Sequence, residues 1–463
     1  MRRTVLAVAL GLLTIGFFAW VAGAANDPGF KTARPTQLVP LAPGVEVDPI
    51  LSVGDIIPTG QTPPYQMSGI PDGLGAYSDR NGTMHVFMNH ELGVTFPAVP
   101  PGVNTRISDL TLNRKTHGVL AAQYRFTGLE GFERFCSSTL EVINGTPYYF
   151  TGEEAVPAGH DGSSIVMNAE TGTWTETPHF GHFEHENVVP VVRVSKFMVV
   201  STEDDFRVGN PAYLYAYIAD SFEDAVSGDP AHGSLYVWKA TDSSDTAITM
   251  QKGDAIQGEF VPLTQAENAN SATLKAAATT KQAFRFARLE DATMAQQRAG
   301  RVFIADTGKI GEATLRGRIY QLDIDPSDPT KASLTLLLDG DTGDDMFNPD
   351  NLGASALSLM IQEDRESQFR DPPFSGGYGR ILKYDLTDGT LLPVARVNTP
   401  PPLRPGTWES SGIVSAQQLL GNGWWLTDVQ AHSTFFAQPG PSLVPNTAVG
   451  EDGQLQALYV PHS

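Results

Sequence analysis

Several stretches of the sequence end in side chains that could bind metal ions, and the clearest of them is Phe135–Glu154. It begins with the only cysteine of the chain, Cys136, and ends in two adjacent glutamates, Glu153 and Glu154. Two strand-like segments between these ends are joined by an Asn-Gly pair, which is typical of a β-hairpin. The pattern predicts a hairpin whose ends carry a thiol and two carboxylates, and these groups are metal ligands.

The same plan recurs along the chain: an opening residue, a strand-like segment, a turn, a second apolar segment and a closing acid. The opening and closing residues are Asp72 and Glu91, Cys136 and Glu153, Glu186 and Glu203, Glu290 and Asp306, Asp350 and Glu363, and Glu409 and Asp428. The separation between them is similar in all six units. Successive units also follow at a similar interval, except for a longer one after the third. This regularity indicates a repeat fold.

A repeat of this length, together with 45 glycines and 33 prolines, indicates an all-β protein rather than a helical bundle. We predict a β-propeller, a single domain over residues 25–463, with six four-stranded blades and the two strands of each unit innermost. The longer interval predicts an insertion at residues 206–283 that forms a lid or side subdomain. An Ala-rich stretch within it is expected to be helical, with Thr264 or Ser271 as the N-cap.

The N-terminal residues 1–24 have the form of a signal peptide: two arginines, a long apolar run and small residues before Asn26. We expect cleavage after Ala24 and export to the periplasm or the cell exterior. An uncleaved membrane anchor and a twin-arginine signal are the alternatives. No other segment is apolar enough to span a membrane, so we expect no membrane domain after cleavage.

The chain carries a formal net charge of -21, which argues against a nucleic-acid partner because phosphates would be repelled. An excess of acid suits an exported protein that collects divalent cations, although a solvated acidic surface is the alternative for any single carboxylate. A single cysteine excludes internal disulfides. Cys136 is therefore inert in the core, a free thiol or a ligand.

If the six units form one ring, their ends meet at one end of the central channel. The candidate metal ligands are Cys136, Glu91, Glu153, Glu154, Glu186, Glu203, Asp204, Glu290, Asp350, Glu363 and Glu409. So many carboxylates require cations to offset their repulsion. Oxygen ligands suit calcium or magnesium, and a thiolate among them suits iron better than calcium.

Arg288 stands among these acids and could hold an anionic group by paired hydrogen bonds, although a structural ion pair is the alternative. His90, His185 and His432 could bind metal or move protons, and an ordinary structural role is the alternative for each. We take Arg288 and Glu290 as catalytic candidates, and Arg288 and His185 as substrate contacts.

Taken together, these motifs resemble the PhoX-type alkaline phosphatase family of exported propeller proteins. The residues that carry the resemblance are MNHE (88–91), the cysteine of RFCSSTL, TGEE (151–154), FEHE (183–186), RLE (288–290), NPDN (348–351) and Gln430 of DVQAH. One departure is the sequence Arg288-Leu289-Glu290, where the family often has Arg-Pro-Glu. The match runs from Ile70 to about His432.

The resemblance implies a propeller that holds iron and calcium ions and hydrolyses phosphomonoesters. It implies that Cys136 is an iron ligand, that Glu186 and Glu290 belong to the metal cluster, and that Arg288 grips the substrate phosphate. We therefore predict an exported metal-dependent phosphomonoesterase acting on a small-molecule substrate. A calcium-dependent propeller lactonase or phytase is one alternative, and a non-catalytic calcium-binding propeller is the other.

Overall fold

The computed structural model describes residues 27–58, 64–79, 82–93, 104–157, 159–263, 269–365, 377–435 and 450–461. The predicted signal peptide, residues 1–24, lies outside these ranges. Within them, no helix is both long enough and apolar enough to cross a membrane.

Four short strands come first along the described chain. They are β1 (Leu38–Pro40), β2 (Glu46–Ser52), β3 (Ile56–Ile57) and β4 (Tyr65–Gln66). Strands β3 and β4 pair with each other, whereas β1 and β2 join sheets that are formed by the end of the chain.

The next eight strands form two four-stranded antiparallel sheets. The first sheet contains β5 (Pro71–Ser78), β6 (Met84–His90), β7 (Arg106–Leu112) and β8 (Val119–Phe126). The second contains β9 (Phe135–Ile143), β10 (Thr146–Glu153), β11 (Ser164–Asn168) and β12 (Trp174–Glu176). Strands follow their chain order across each sheet, as in a propeller blade.

The third and fourth sets of strands are joined into one nine-stranded sheet. The third set is β13 (His185–Val191), β14 (Phe197–Glu203), β15 (Leu214–Ala219) and β16 (Gly233–Ala240). Next comes β17 (Ala255–Pro262), followed by the fourth set: β18 (Leu289–Met294), β19 (Arg301–Asp306), β20 (Arg318–Ile324) and β21 (Lys331–Asp339). Strand β17 pairs with both β16 and β21 and so connects the outer edges of these two sets.

The last two sheets each take one strand from the start of the chain. One contains β22 (Pro349–Ala354), β23 (Ser358–Glu363), β24 (Arg380–Asp385) and β25 (Leu391–Val397), with β1 on its outer edge. The other contains β26 (Glu409–Ser415), β27 (Trp424–Phe435) and β28 (Glu451–Tyr459), with β2 as its fourth strand.

The first strands of the six sets lie next to one another in a closed circle. Strand β5 contacts β9, and contacts continue through β13, β18, β22 and β26 back to β5. The predicted all-β propeller, with two strands of each sequence unit innermost, is therefore confirmed.

The blades pack against each other through both of their faces, so many inner strand residues are apolar. In β19, Val302 and Ile304 face the core shared with the third blade. The alternate residues, Phe303 and Ala305, belong to the core shared with the fifth blade. Because successive strand residues point to opposite faces, one strand contributes to two inter-blade cores.

Part of residues 206–283, the expected insertion, belongs to the regular strands of a propeller blade. Strands β15 and β16 lie within this range and complete the third blade. The additional elements are the helix α1 (Phe222–Ser227), the bridging strand β17 and the helix α2 (Ser271–Thr280). The N-cap of α2 is Asn270 rather than Ser271, since its side chain accepts the N–H of Thr273 at 3.0 Å, and the other expected cap, Thr264, lies outside the described residues. Its role as a lid stays a prediction. A third helix, α3 (Gln417–Leu420), precedes β27.

Candidate metal centre

A register shift near the start of each innermost strand directs one side chain toward the channel. In the first blade, Pro71 pairs with His90 but Leu74 pairs with Met88. Strand β5 therefore has one more residue than β6 between these two pairs, which is a β-bulge. Equivalent shifts occur in the other blades. A bulge of this kind re-aims a side chain. The second residues of the first five inner strands, which lie at these shifts, are Asp72, Cys136, Glu186, Glu290 and Asp350.

The sixth blade departs from the sequence prediction. Its shift falls between Ser411 and Ile413, so Ser411 is the equivalent of Asp72, and the predicted opener Glu409 lies two residues earlier. Glu409 nevertheless reaches the same region, where its carboxylate groups with those of Asp350 and Asp364.

Cys136 lies among carboxylates and one guanidinium. Its Sγ atom is 3.0 Å from Oε2 of Glu154. The Nη2 atom of Arg134 lies 2.5 Å from the same Oε2 atom and 3.0 Å from Oε1 of Glu91. Ligand atoms of Cys136, Glu154 and Glu186 fall within 4.8 Å of one another, which is close enough to share an ion.

A second guanidinium, that of Arg288, lies next to this group. Its Nε and Nη2 atoms donate to the two oxygens of Asp204 at 2.6 and 2.8 Å. The Nη2 atom also lies 2.7 Å from Oε1 of Glu290. Because Glu290 and Asp204 group with Glu186, the clusters around Cys136 and Arg288 share one carboxylate and are continuous.

Asp72 connects the first and sixth blades at the same end of the channel. The side-chain amide of Gln430 donates to Oδ2 of Asp72 and to Oε2 of Glu91, both at 3.1 Å. Asn351 donates to Oδ1 of Asp72 at 3.2 Å. The carboxylates therefore lie in a polar network that fixes their positions.

Burial and mutual repulsion raise the pKa values of these acids. Burial raises the pKa of Glu186 well above its usual range, and the charge of Glu154 adds to the shift. Burial and Glu91 together raise the pKa of Asp72 to about 7. Burial also raises the pKa of the Cys136 thiol. The pKa of Asp204 shifts the other way: burial would raise it, but the charge and hydrogen bonds of Arg288, together with Glu154 and Arg134, lower it.

Three predicted ligands lie outside this cluster, and they share another function. Both oxygens of Glu153 accept backbone N–H groups, from Glu133 at 2.7 Å, His160 at 2.8 Å and Gly162 at 3.0 Å. The same kind of contact is made by Glu203 to Tyr213 and by Glu363 to Phe347. Glu153, Glu203 and Glu363 therefore anchor loops in the structure, and metal binding by these three acids stays a prediction.

Glu203 also belongs to a separate acidic trio with Glu184 and Asp205. This trio already has cationic partners from the protein. The amino group of Lys275, on α2, lies 2.9 Å from Glu203 and contacts Asp205. Arg207 pairs with Glu184 at 2.5 Å and with Asp205 at 2.8 Å. We read this trio as an ion-pair network that docks α2.

Of the three candidate histidines, two are buried away from the metal cluster and one lies next to it. His185 is fully buried; its Nε2 atom lies 2.9 Å from the Gly181 carbonyl, and its ring packs on Phe183. His185 therefore packs in the core, and its role as a substrate contact stays a prediction. His90 is also buried, between the Gly69 carbonyl and Ser108. His432 alone borders the cluster, with Nε2 3.7 Å from Glu409 and Nδ1 2.6 Å from Glu451.

Sequence reasoning missed Arg134 and Asp364 as members of the cluster. Arg134 precedes Cys136 by two residues, as Arg288 precedes Glu290, so the repeat itself carried the signal. Asp364 follows the loop-anchoring Glu363, as Glu154 follows Glu153. Since successive strand residues alternate in direction, the second acid of each pair was the one to choose.

Two of three comparisons with known proteins found matches to this chain. The family model described as alkaline phosphatase PhoX matches residues 167–377. A comparison with curated proteins finds no significant match.

Among solved structures, Pseudomonas fluorescens PhoX in complex with vanadate, a transition-state analogue, is 14% identical with a TM-score of 0.62. The alignment covers 93% of this chain and 97% of that chain. A Penicillium chrysogenum α-L-arabinanase is 11% identical with a TM-score of 0.43, over 91% of this chain and 98% of that chain. A Trypanosoma rangeli sialidase mutant is 10% identical with a TM-score of 0.41, over 91% of this chain and 60% of that chain.

At these identities, a structural likeness establishes the fold alone. The match to the family model adds sequence similarity over residues 167–377, the range in which Glu186, Glu290 and Asp350 lie. The resemblance of this chain to the PhoX-type alkaline phosphatases is thereby confirmed, in sequence over residues 167–377 and in fold over most of its length.

Proposed function

We propose that this protein is an exported, metal-dependent phosphomonoesterase that acts on a small-molecule phosphate ester. The observation that carries the proposal is the buried group of carboxylates and one thiol at one end of the propeller channel, built around Arg134 and Arg288. The match to the PhoX family over residues 167–377 supports the reaction class.

The donor set fits bound cations. Its members are Asp72, Glu91, Cys136, Glu154, Glu186, Asp204, Glu290, Asp350, Asp364 and Glu409. Two guanidinium groups cannot neutralise so many acids, and buried like charges are costly unless cations offset them. The Oε1 atom of Glu154 is buried and has no hydrogen-bond partner among the described residues, which leaves it available to a metal ion. Oxygen donors favour calcium, and the thiol of Cys136 favours iron.

We assign the metal ligands by position. Cys136, Glu154 and Glu186 would hold one ion, Glu186, Asp204 and Glu290 a neighbouring one, and Asp350, Asp364 and Glu409 a third. Metal ions at such a site polarise the phosphoryl group and make bound water a nucleophile at neutral pH.

Arg288 is the residue we assign to the phosphoryl oxygens. Asp204 and Glu290 hold two of its nitrogen atoms, which fixes the plane of the guanidinium before substrate binds. A guanidinium that is already in position stabilises the negative charge that develops on the phosphoryl oxygens, and the side chain need not reorient during the reaction. The side chain of Arg288 is 12% exposed, so the group borders solvent although its partners are buried.

The proposal is tested by metal analysis together with an aryl phosphate assay of the purified protein, with and without a chelator. We expect stoichiometric iron and calcium, and loss of activity on chelation that the ions restore. Arg288→Ala should lower kcat/KM while Arg298→Ala, in an exposed turn, leaves it unchanged. Failure of the wild-type protein to hydrolyse any phosphomonoester would refute the proposal, and calcium without iron would favour a non-catalytic propeller.

A further inference from the structure

Three guanidinium groups surround one aromatic ring beside the metal centre. The Cζ atoms of Arg365, Arg316 and Arg380 lie 4.0, 4.7 and 5.9 Å from the centre of the Phe347 ring. Each distance is within the range of a cation–π contact. Such a concentration of positive charge is unusual in a chain of net charge -21.

Most of the local negative charge is taken up by one arginine. Arg380 donates through Nε and Nη2 to Glu363 at 2.8 and 2.7 Å, and it also pairs with Asp345 at 2.7 Å. These distances thus pair both Glu363 and Asp345 with Arg380. Among the described residues, no acceptor lies within hydrogen-bonding reach of the buried Nη1 atom of Arg365.

The Arg365 side chain is fixed in place by its packing. It lies on the Phe347 ring on one side and against two glycines on the other. A Cβ atom added to Gly377 would lie 1.6 Å from Nη2 of Arg365, and one added to Gly406 would lie 3.1 Å from its Cβ. The site therefore has a guanidinium that is held in position and whose Nη1 atom has no acceptor among the residues that the structure describes.

This cluster lies at the edge of the metal centre. Arg365 directly follows Asp364, which groups with Asp350 and Glu409. Phe347 precedes Asp350 by three residues, and its N–H donates to Glu363 at 2.9 Å. Adjacent residues thus carry a carboxylate of the metal cluster and the guanidinium of Arg365.

We propose that Arg316, Arg365 and Arg380 form a second anion site that binds another phosphate group of the substrate. The inference rests on the proposed function and names its substrate class: phosphomonoesters that carry a second phosphate. Guanidinium groups recognise phosphate through paired hydrogen bonds, and a phosphate offers enough oxygens for several of them. The overall negative charge of the chain disfavours a long polyanion such as a nucleic acid.

The kinetic test compares fructose 1,6-bisphosphate with fructose 6-phosphate on the metal-loaded full chain. The wild-type protein should prefer the bisphosphate in kcat/KM, and Arg365→Gln should lower that preference about tenfold or more. Arg365→Lys keeps the positive charge but cannot donate paired hydrogen bonds, so its preference for the bisphosphate should lie between those of the wild type and Arg365→Gln. Arg298→Gln, on an exposed turn between β18 and β19, is the matched control and should keep the full preference.

A binding measurement separates this inference from the proposed function. Alkane diphosphonates and the matching monophosphonates, which are not hydrolysed, are titrated into the metal-loaded wild-type and Arg365→Gln proteins by calorimetry. The wild type should bind a diphosphonate of suitable length more tightly, and the variant should lose this advantage. Equal affinities in the wild type, or an advantage that survives in Arg365→Gln, would overturn the inference. A wild type without phosphatase activity would refute only the catalytic proposal, since the titration would still decide whether the site binds phosphate.

Discussion

Adjacent carboxylates at the ends of the inner strands have opposite surroundings. Glu154 faces the channel, where it meets Cys136 and Arg134. Its neighbour Glu153 points away and accepts three backbone N–H groups. The same division separates Asp204 from Glu203 and Asp364 from Glu363. The first acid of each pair fixes loops of the propeller, and the second joins the cluster.

This difference teaches that an acidic sequence pattern can combine two functions in neighbouring residues. The anchoring acids hold the loops that lead into the inner strands; Asp306, for example, accepts the backbone N–H of Arg288 at 2.8 Å. The cluster acids repel one another unless cations are present. We therefore expect substitutions of the two groups to affect different measured quantities.

The largest effect is expected for Glu154→Gln. Loss of this carboxylate removes a proposed ligand, and kcat/KM for an aryl phosphate should fall roughly a hundredfold or more. The bound metal content should fall as well. Without metal, the variant should unfold at the same urea concentration as wild type or higher, because one repelling charge is gone. Elemental analysis and urea unfolding check both statements, and a variant with full metal content and activity would remove Glu154 from the site.

The neighbouring change Glu153→Gln should act on stability instead. The amide NH2 of glutamine replaces one of the two carboxyl oxygens that accept the three backbone N–H groups, which leaves at least one buried donor without an acceptor. This loss should lower the free energy of unfolding by about 1–3 kcal/mol. The metal content per folded molecule should match wild type. Urea unfolding at pH 6 measures the first quantity and elemental analysis the second. If Glu153→Gln lost metal as Glu154→Gln does, the division between the two groups would be wrong.

The pH dependence of stability offers a finer distinction. Burial raises the pKa of Glu153 to about 8, from the ordinary glutamate value of 4.5. The folded protein thus keeps a proton that the unfolded chain loses, so this contribution to stability is full below pH 4.5 and declines as the pH rises toward 8. In chelator, the advantage of wild type over Glu153→Gln should shrink between pH 5 and pH 8. An advantage that is constant with pH would show that Glu153 is ionised throughout.

The smallest effect is expected for Thr307→Val in the fourth blade. Thr307 follows the anchoring Asp306 but is not acidic, and its hydroxyl donates to the Pro349 carbonyl at 2.6 Å. Loss of this buried hydrogen bond should cost about 1 kcal/mol of unfolding free energy. Metal content and kcat/KM should not change. A loss of metal would mean that the second position of this blade also belongs to the cluster.

The propeller and most members of the cluster could be predicted from the sequence because both follow from a repeat. The opening residues Asp72, Cys136 and Glu186 recur at similar intervals, and each lies at a bulge of its inner strand. The direction of Glu153 could not be predicted, because the pattern marks two neighbouring acids without stating which faces inward.

Residues outside the repeat were harder to assign. Glu409 was taken as the sixth opener, but the bulge after Ser411 assigns that position to serine. His185 was taken as a substrate contact because it adjoins Glu186, yet strand alternation turns it toward Phe183. The propeller strands β15 and β16 were assigned to an insertion because the joining strand β17 lengthens this interval.

The placement of β2 in the last blade determines when the fold can be completed. Strand β2 pairs with β28, and near it Arg34 binds Asp452, 418 residues away in sequence. Closing a contact over such a distance carries a large entropic cost and is slow. During synthesis, an early strand must therefore remain unpaired until almost the whole chain has been made. Chaperones or the export machinery would have to protect this exposed edge from pairing with other chains.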